Sequence, residues 1–546
     1  MRCAGLTSCR PLRPTKQARV LGIDTLGAVW AGGSDPSPPE PLDPATRFAL
    51  RPSNFELPPS PLELRPSPFA LRPSPLALRP SPLALRPSNF PLASGRLVRY
   101  AASLMKATPR RRFLRDTAVM TSALSLSAPA VLRAAGSEPK VILGLIGPGG
   151  MGMSHLRTFA ASPDIEWAYV CDPFEPHRAR AVAEVEKLTR TPPKAVADLR
   201  RVLEDPRVDA VVIATPDHWH VPAALLALEA GKHVYVEKPC SHNVAEGRWL
   251  VEAARRAKRV VQVGTQSRST DHVRQAMQRL RDGAIGEVLV AKAWNSQLRR
   301  NIGKVAPSDP PPELDYDLWV GPAPLVPYQA NVQPSSWRWF TAFGCGDAGN
   351  DGVHELDLAR WGLGADVHPH TITGIGGKYF FEDDQQFPDT QYVAFEYDLG
   401  GRPRQLVYEQ RLWSPYVQEG HENGNAFYGT QGVLILGKQS GWQLFGPRNQ
   451  LIAEQRGSPS LPAHHRNFLD AIRHGQPPHA DAETGHLSAA LAHFANLASR
   501  IEGPLRFDPA REQFIGNDAA NAALRRTYRA GHWAVPNAAL SPAGAS

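Results

Sequence analysis

Three glycines and one carboxylate carry the most specific chemical spacing in this sequence. Gly147, Gly149 and Gly152 lie in Gly147-Pro148-Gly149-Gly150-Met151-Gly152, a G-x-G-x-x-G pattern. An apolar, strand-like segment, 140–147, leads into it, and residues 154–162 have helical character. In that setting the first glycine permits a tight turn and the second lets backbone approach a pyrophosphate. The third lets the helix pack closely on the strand. The unpaired N–H groups and positive dipole end of the helix face the phosphates. A second apolar segment, 165–171, ends at Asp172, twenty residues past the last glycine. A carboxylate there accepts hydrogen bonds from adenosine ribose hydroxyls and repels a 2′-phosphate. This favours NAD, while Arg178 nearby keeps NADP open.

These residues need a frame that sets them at one edge. Apolar runs at 208–214, 233–236 and 260–263 read as further buried strands, and 221–230 and 244–257 read as helices. The alternation predicts a doubly wound parallel sheet with right-handed crossovers. Its ligand crevice lies at the carboxyl ends of the strands. The segments at those ends are GPGGMG, CDP, ATPDHWH, EKP and GTQSR.

The runs Ala214-Thr215-Pro216-Asp217-His218-Trp219-His220 and Val236-Glu237-Lys238-Pro239 resemble the Gfo/Idh/MocA oxidoreductases, the glucose–fructose oxidoreductase and inositol dehydrogenase family. Val263-Gly264-Thr265-Gln266, Trp337-Arg338-Trp339-Phe340 and the stretch 346–361 agree, and the likeness covers about 139–535. It implies a Rossmann-type NAD(P)-binding domain over 138–266 and an α+β domain over 267–546 with a large, open, mainly antiparallel sheet. Strand-like runs at 288–293, 371–375, 392–397 and 405–409 are compatible. Phe468 and Ile472 before Gly475 suggest one late helix; a stripe of Leu487, Leu491, Phe494 and Ile501 suggests another, stopped by Gly503.

Oxidising a secondary alcohol needs a hydride acceptor, a base for the hydroxyl proton and donors for the developing alkoxide. By the resemblance, Lys238 is catalytic and binds the reacting hydroxyl. A partly desolvated lysine beside a positive ring should lose its proton more readily than in water. Asn350 and His354 are spaced i, i+4 and share a face if 350–364 is helical. The family often has an acid at the Asn350 position. Asparagine cannot take a proton, so proton work shifts to His354 or Lys238. The resemblance adds Gly150, Met151, Thr215, His218, Glu237, Lys238 and Gln266 to the cofactor site. It adds Trp337, Arg338 and Asn350, with Lys238 and His354, to the substrate site. Asp351 and Asp357 read as helix-end and surface groups. His218, His220 and His233 match no compact ligand set, adjacent His464 and His465 do not share a helix face, and no metal is expected.

The charge sits unevenly. Of 61 Lys+Arg and 52 Asp+Glu, residues 1–136 hold 19 and 7, so the remainder is slightly acidic and gives no reason to expect nucleic-acid binding. Those residues also hold 21 of the 53 prolines. Residues 50–91 are six near-copies of a seven-residue unit typified by LRPSPLA. Proline in each unit predicts an extended, disordered segment over 1–104, read as a translated upstream repeat or a docking ligand. From Met105, a basic cluster at Arg110-Arg111-Arg112, an apolar stretch 117–132 and small residues at 128–136 follow signal-peptide order. Arg110 and Arg111 resemble the twin-arginine export signal, so 105–136 predicts delivery by that machinery to a bacterial periplasm, with no membrane association after cleavage. Five cysteines, two of them in the leader, show no disulfide framework. The activity expected is oxidoreduction of a small sugar, polyol or glycoside by a homo-oligomer. An NAD-dependent glycosidase resembling α-N-acetylgalactosaminidases is the alternative, and a non-catalytic sugar-binding module the third reading.

Overall fold

The computed structural model describes residues 139–332, 336–414 and 416–540, so the leader readings lie outside the described residues. The described chain belongs to one compact unit. Its first part is a six-stranded parallel sheet. The elements are β1 (Val141–Ile146), α1 (Gly150–Ala160), β2 (Ile165–Cys171), α2 (Glu175–Thr189), β3 (Lys194–Val196) and β4 (Ala210–Ile213). They continue as α3 (His220–Glu229), β5 (His233–Val236), α4 (Val244–Ala257) and β6 (Val261–Val263). The order β3-β2-β1-β4-β5-β6 is the doubly wound arrangement read from the sequence. β1, β4 and β5 are buried almost throughout, which their unbroken apolar runs require. β3 was not foreseen: two of its three residues are exposed and the third half-buried, so they lack the apolar signature and are held by pairing with β2.

After α5 (Asp271–Arg281) the chain builds a ten-stranded mixed sheet. β7 (Val288–Asn295) lies inside it, antiparallel to a later strand and parallel to another. A five-residue π-helical turn, Ala348–Gly352, runs into α6 (Val353–Leu363). Then follow β8 (Thr371–Gly377), β9 (Thr390–Asp398), β10 (Pro403–Arg411), β11 (Asn423–Gly429), β12 (Val433–Gly437), β13 (Gly441–Phe445) and β14 (Leu451–Arg456). The chain then forms α7 (Leu461–His474), α8 (Ala482–Ala498), β15 (Leu505–Asp508) and β16 (Gln513–Phe514). The sheet order is β14-β13-β12-β11-β7-β10-β9-β8-β15-β16. Its core joins Phe395 and Phe427 from the sheet to Leu356 of α6 and Phe494 of α8, all fully buried. Each large side chain so removed from water contributes about 1.5–3 kcal/mol.

α8 corrects the expected stripe. It is buried nearly all round and touches α4, α6, β6 and β8, so it is a bridge between the two sheets. It stops at Ser499, with Ile501 beyond it; Gly503 serves the following turn, at φ +83°. Among the described residues no helix is long and apolar enough to cross a membrane.

Candidate active site

The carboxyl ends of the parallel strands form one wall of a cavity of about 400 Å³. Gly147 ends β1 with φ +89°, and a Cβ there would sit 2.7 Å from the Ala214 carbonyl oxygen. A Cβ on Gly152 would overlap the Gly147 carbonyl oxygen. Gly149 and Gly150 face open space. Gly149 is the N-cap of α1 and has no side-chain cap, so the first N–H groups of the helix remain available to a ligand. Gly147, Gly149, Gly150 and Met151 line the cavity, while Gly152 supports the turn from behind.

Asp172 is buried at the end of β2. Its carboxylate accepts the Phe174 N–H at 2.9 Å and meets His177 Nδ1 at 3.1 Å, which leaves acceptor capacity on both oxygens. Arg178 is tied to the Asp172 carbonyl oxygen at the same turn. Thr215 lines the cavity with a buried hydroxyl that has no protein partner. An open glycine turn, a free helix start, a ribose-height carboxylate and an orphaned hydroxyl fit a dinucleotide.

Lys238 follows β5. Its Nζ donates to the Asn350 carbonyl oxygen at 2.6 Å and lies 3.4 Å from Asn350 Oδ1. Asn350 Nδ2 donates to Asp347 at 2.9 Å, and Arg299 joins Asp347 and Asp351 at 2.9 Å each. Lys438 lies 2.7 Å from the buried Glu355 and 3.6 Å from Asp351. Asp351 stands at the start of the helical run, as read from the sequence, and is also part of a charged network behind the lysine. Asp357 is no surface residue: it is 1% exposed, 2.8 Å from Arg268, and accepts a bond from Ser488. Chain spacing alone cannot register the approach of α5, α6 and α8 that buries it.

Glu237 lines the cavity beside Lys238. Its Oε1 meets His155 Nε2 at 2.8 Å and Gln266 Nε2 at 2.9 Å. Burial pushes this carboxyl up, but the His155 bond and the His155 and Lys238 charges overcome that and hold it at about 2. Gln266 does not line the cavity; it orients Glu237. His354 does not line it either. Burial, then Lys438 and Lys238, push its imidazole down to about 3, so it is neutral, with Nδ1 buried and unpartnered. His218 is not brought to the cavity: its ring nitrogens lie against the carbonyls of Phe343 and Trp319, at 3.3 and 3.1 Å. Trp337 and Arg338 line the far wall, the guanidinium 5.1 Å from the Trp337 ring.

Several lining groups were not singled out as site residues from the sequence. Asp217, inside the quoted ATPDHWH run, is buried there and accepts the Cys345 N–H at 3.1 Å. Trp319, from the short helix Tyr316–Val320, and Trp533 come from segments distant in the chain. Among the described residues, His368, His486 and Glu512 also converge, away from this cavity. Arg248 shares the Glu512 oxygen with both imidazoles and supplies positive charge there.

Comparison with known proteins places this geometry. A family model described as "Oxidoreductase family, NAD-binding Rossmann fold" matches residues 141–265, and its "C-terminal alpha/beta domain" matches 292–399 and 428–535. The levoglucosan dehydrogenase of Pseudarthrobacter phenanthrenivorans is 30% identical over 226 residues, 41% of this chain and 51% of that protein. The α-N-acetylgalactosaminidase of Shewanella oneidensis is 29% identical over 206 residues, 34% of this chain and 45% of that one. The chain thus spans about half the length of these relatives. The WlbA dehydrogenase from Bordetella pertussis, solved with NADH and UDP-GlcNAcA, superposes with a TM-score of 0.52 at 19% identity, covering 68% of this chain and 99% of that one, and so shares the fold. With both domain models matched in order along one compact unit, the chain belongs to the Gfo/Idh/MocA oxidoreductase family.

Proposed function

We propose that this protein is an NAD-dependent oxidoreductase acting on a secondary hydroxyl or ketone of a sugar, polyol or glycoside. The observation that carries the reading is one cavity lined by the open glycine turn, Asp172, Lys238 and Asn350. A bound nicotinamide would supply the hydride acceptor. Lys238, aimed by the Asn350 carbonyl, donates to the reacting oxygen and stabilises its negative charge as it develops. Asn350 orients a hydroxyl without taking its proton. Of the two groups expected to move that proton, Lys238 lines the cavity and His354 stands behind it, so the proton work falls to Lys238. Trp337 and Trp319 line the cavity and make part of its wall apolar, which suits sugar C–H bonds. Asp172 favours NAD over NADP.

The test is a nucleotide assay on the purified protein, by absorbance and mass spectrometry, followed by a screen of mono- and disaccharides read by cofactor fluorescence. A protein that carries no nucleotide, and binds none when added, would refute the proposal. The likeness to an α-N-acetylgalactosaminidase favours a second reading, a glycosidase working by transient oxidation. Release of p-nitrophenol from aryl glycosides without net cofactor consumption would select it. The leader supports export by the twin-arginine route, with cofactor inside a folded protein. The Arg110→Lys, Arg111→Lys double variant should then stay cytoplasmic; its export would reject that route. A homo-oligomer formed through the large sheet is proposed with it, and a monomeric mass in solution would reject it.

A further inference from the structure

A late segment of the chain reaches the cavity, where Trp533 is one of the lining residues. Residues 524–536 leave the second domain and run back onto the first. Arg526 and Glu246, both buried, pair at 2.7 Å and fasten the segment to α4. The Tyr528 hydroxyl donates to Glu246 at 2.6 Å, and Arg526 donates to the His218 carbonyl oxygen at 2.7 Å. Further on, the Arg529 N–H donates to the Pro322 carbonyl oxygen at 2.9 Å, and its guanidinium meets Asp317 at 2.6 Å. The segment leading into the short helix that holds Asp317 is itself stitched to the turn after β2: Glu175 N–H donates to the Glu313 oxygen at 3.0 Å, and Asp315 N–H to the Pro173 oxygen at 3.2 Å. Two segments of the second domain are thus tied to each other and to the nucleotide domain.

This collar sets the position of Trp533. Its ring lies 5.8 Å from that of Trp219, which follows β4, and the Arg200 guanidinium stands 4.2 Å from it, following β3. In the order β3-β2-β1-β4, the strands between those two loops are β2 and β1, whose ends carry Asp172 and Gly147. Trp533 lines the same cavity as both. We infer that Trp533 is an adenosine-binding residue, and that the 524–536 segment, tied to the 313–323 segment, is a collar that holds the dinucleotide in place between turnovers. The inference rests on the nucleotide-binding reading and adds which residues make the nucleotide slow to leave. An aromatic face on a base strengthens binding by about tenfold or more when it stacks.

The test uses the full chain, with ADP-ribose and nicotinamide mononucleotide as half-cofactor probes and stopped-flow release of NADH chased by excess NAD. Trp533→Ala should release NADH at least tenfold faster and weaken ADP-ribose about tenfold, leaving nicotinamide mononucleotide unchanged. Trp533→Phe should recover the release rate to within about threefold. Arg200 is half-exposed, so Arg200→Ala carries the test should Trp533→Ala fail to fold; it should speed release severalfold. Release within twofold of wild type in the variants that fold, or equal loss for both half-cofactors, would overturn the inference. A wild type that binds neither ADP-ribose nor NAD would instead reject the nucleotide reading, and this inference with it.

Discussion

Lys238 is aimed, not merely present: its Nζ is held 2.6 Å from a carbonyl oxygen of the turn that also carries Asn350. Lys238→Ala should keep fold and nucleotide and lose about 10²–10⁴-fold in single-turnover rate, the usual cost of a missing acid/base; a loss under threefold would remove it from the chemistry. Asp172→Ser should narrow the NAD over NADP affinity ratio by removing repulsion of a 2′-phosphate. Arg178 is already spent on the Asp172 carbonyl, so direct titration with both nucleotides should show NAD preferred in the wild type. The glycines and Asp172 were legible from their spacing after apolar strands, and Lys238 from the family resemblance at the end of another such strand. His218 shows where a resemblance carried over by position misleads. It stands in the right run, yet a 3-10 turn at Asp217–Trp219 buries it against carbonyls from two other segments.

At the scale of elements, β5 and α4 match their sequence readings residue for residue, because apolar runs bounded by Gly231 and Lys258 leave no other registry. The elements missed are those whose stability comes from neighbours, such as β3 and the strands β11 to β14. The packing of α6 is the clearest instance. Its Asp357 meets Arg268, just past β6, and Ser488 of α8, so one buried carboxylate joins three elements. Asp357→Asn leaves the Arg268 guanidinium, 9% exposed, without its counter-charge and should destabilise by about 3–5 kcal/mol. Urea unfolding should report this as a lower midpoint with unchanged slope. A loss below about 1 kcal/mol would mean that water reaches Arg268.

For the whole molecule, acid is the weak side. Burial is the main cause that lowers His218 and His354 to about 3 and His464 and His493 to about 4, against 6.5 in the open chain. The unfolded chain therefore binds more protons between pH 6.5 and about 4, and stability falls as pH falls through that window. Each of these four costs on the order of 2 kcal/mol near pH 4.5. Glu237, held at about 2 and ordinarily at 4.5, adds to the loss only below pH 4.5. A thermal midpoint that drops steeply below pH 6 is expected; a flat profile from pH 7 to 4.5 would contradict the burial of these rings. The same packing settles whether the halves can be parted. The free flank of β6 is not left to water: Val263 N–H donates to the Ala480 oxygen at 2.8 Å, and Gln262 donates to the His464 oxygen at 2.8 Å. Gly485 lets α8 lie so close that a Cβ there would overlap Val263. A piece cut at residue 266 would therefore bare a sticky strand border that invites a neighbouring chain. The seam between the halves is a place to bend the sequence on paper, not to cut it at the bench.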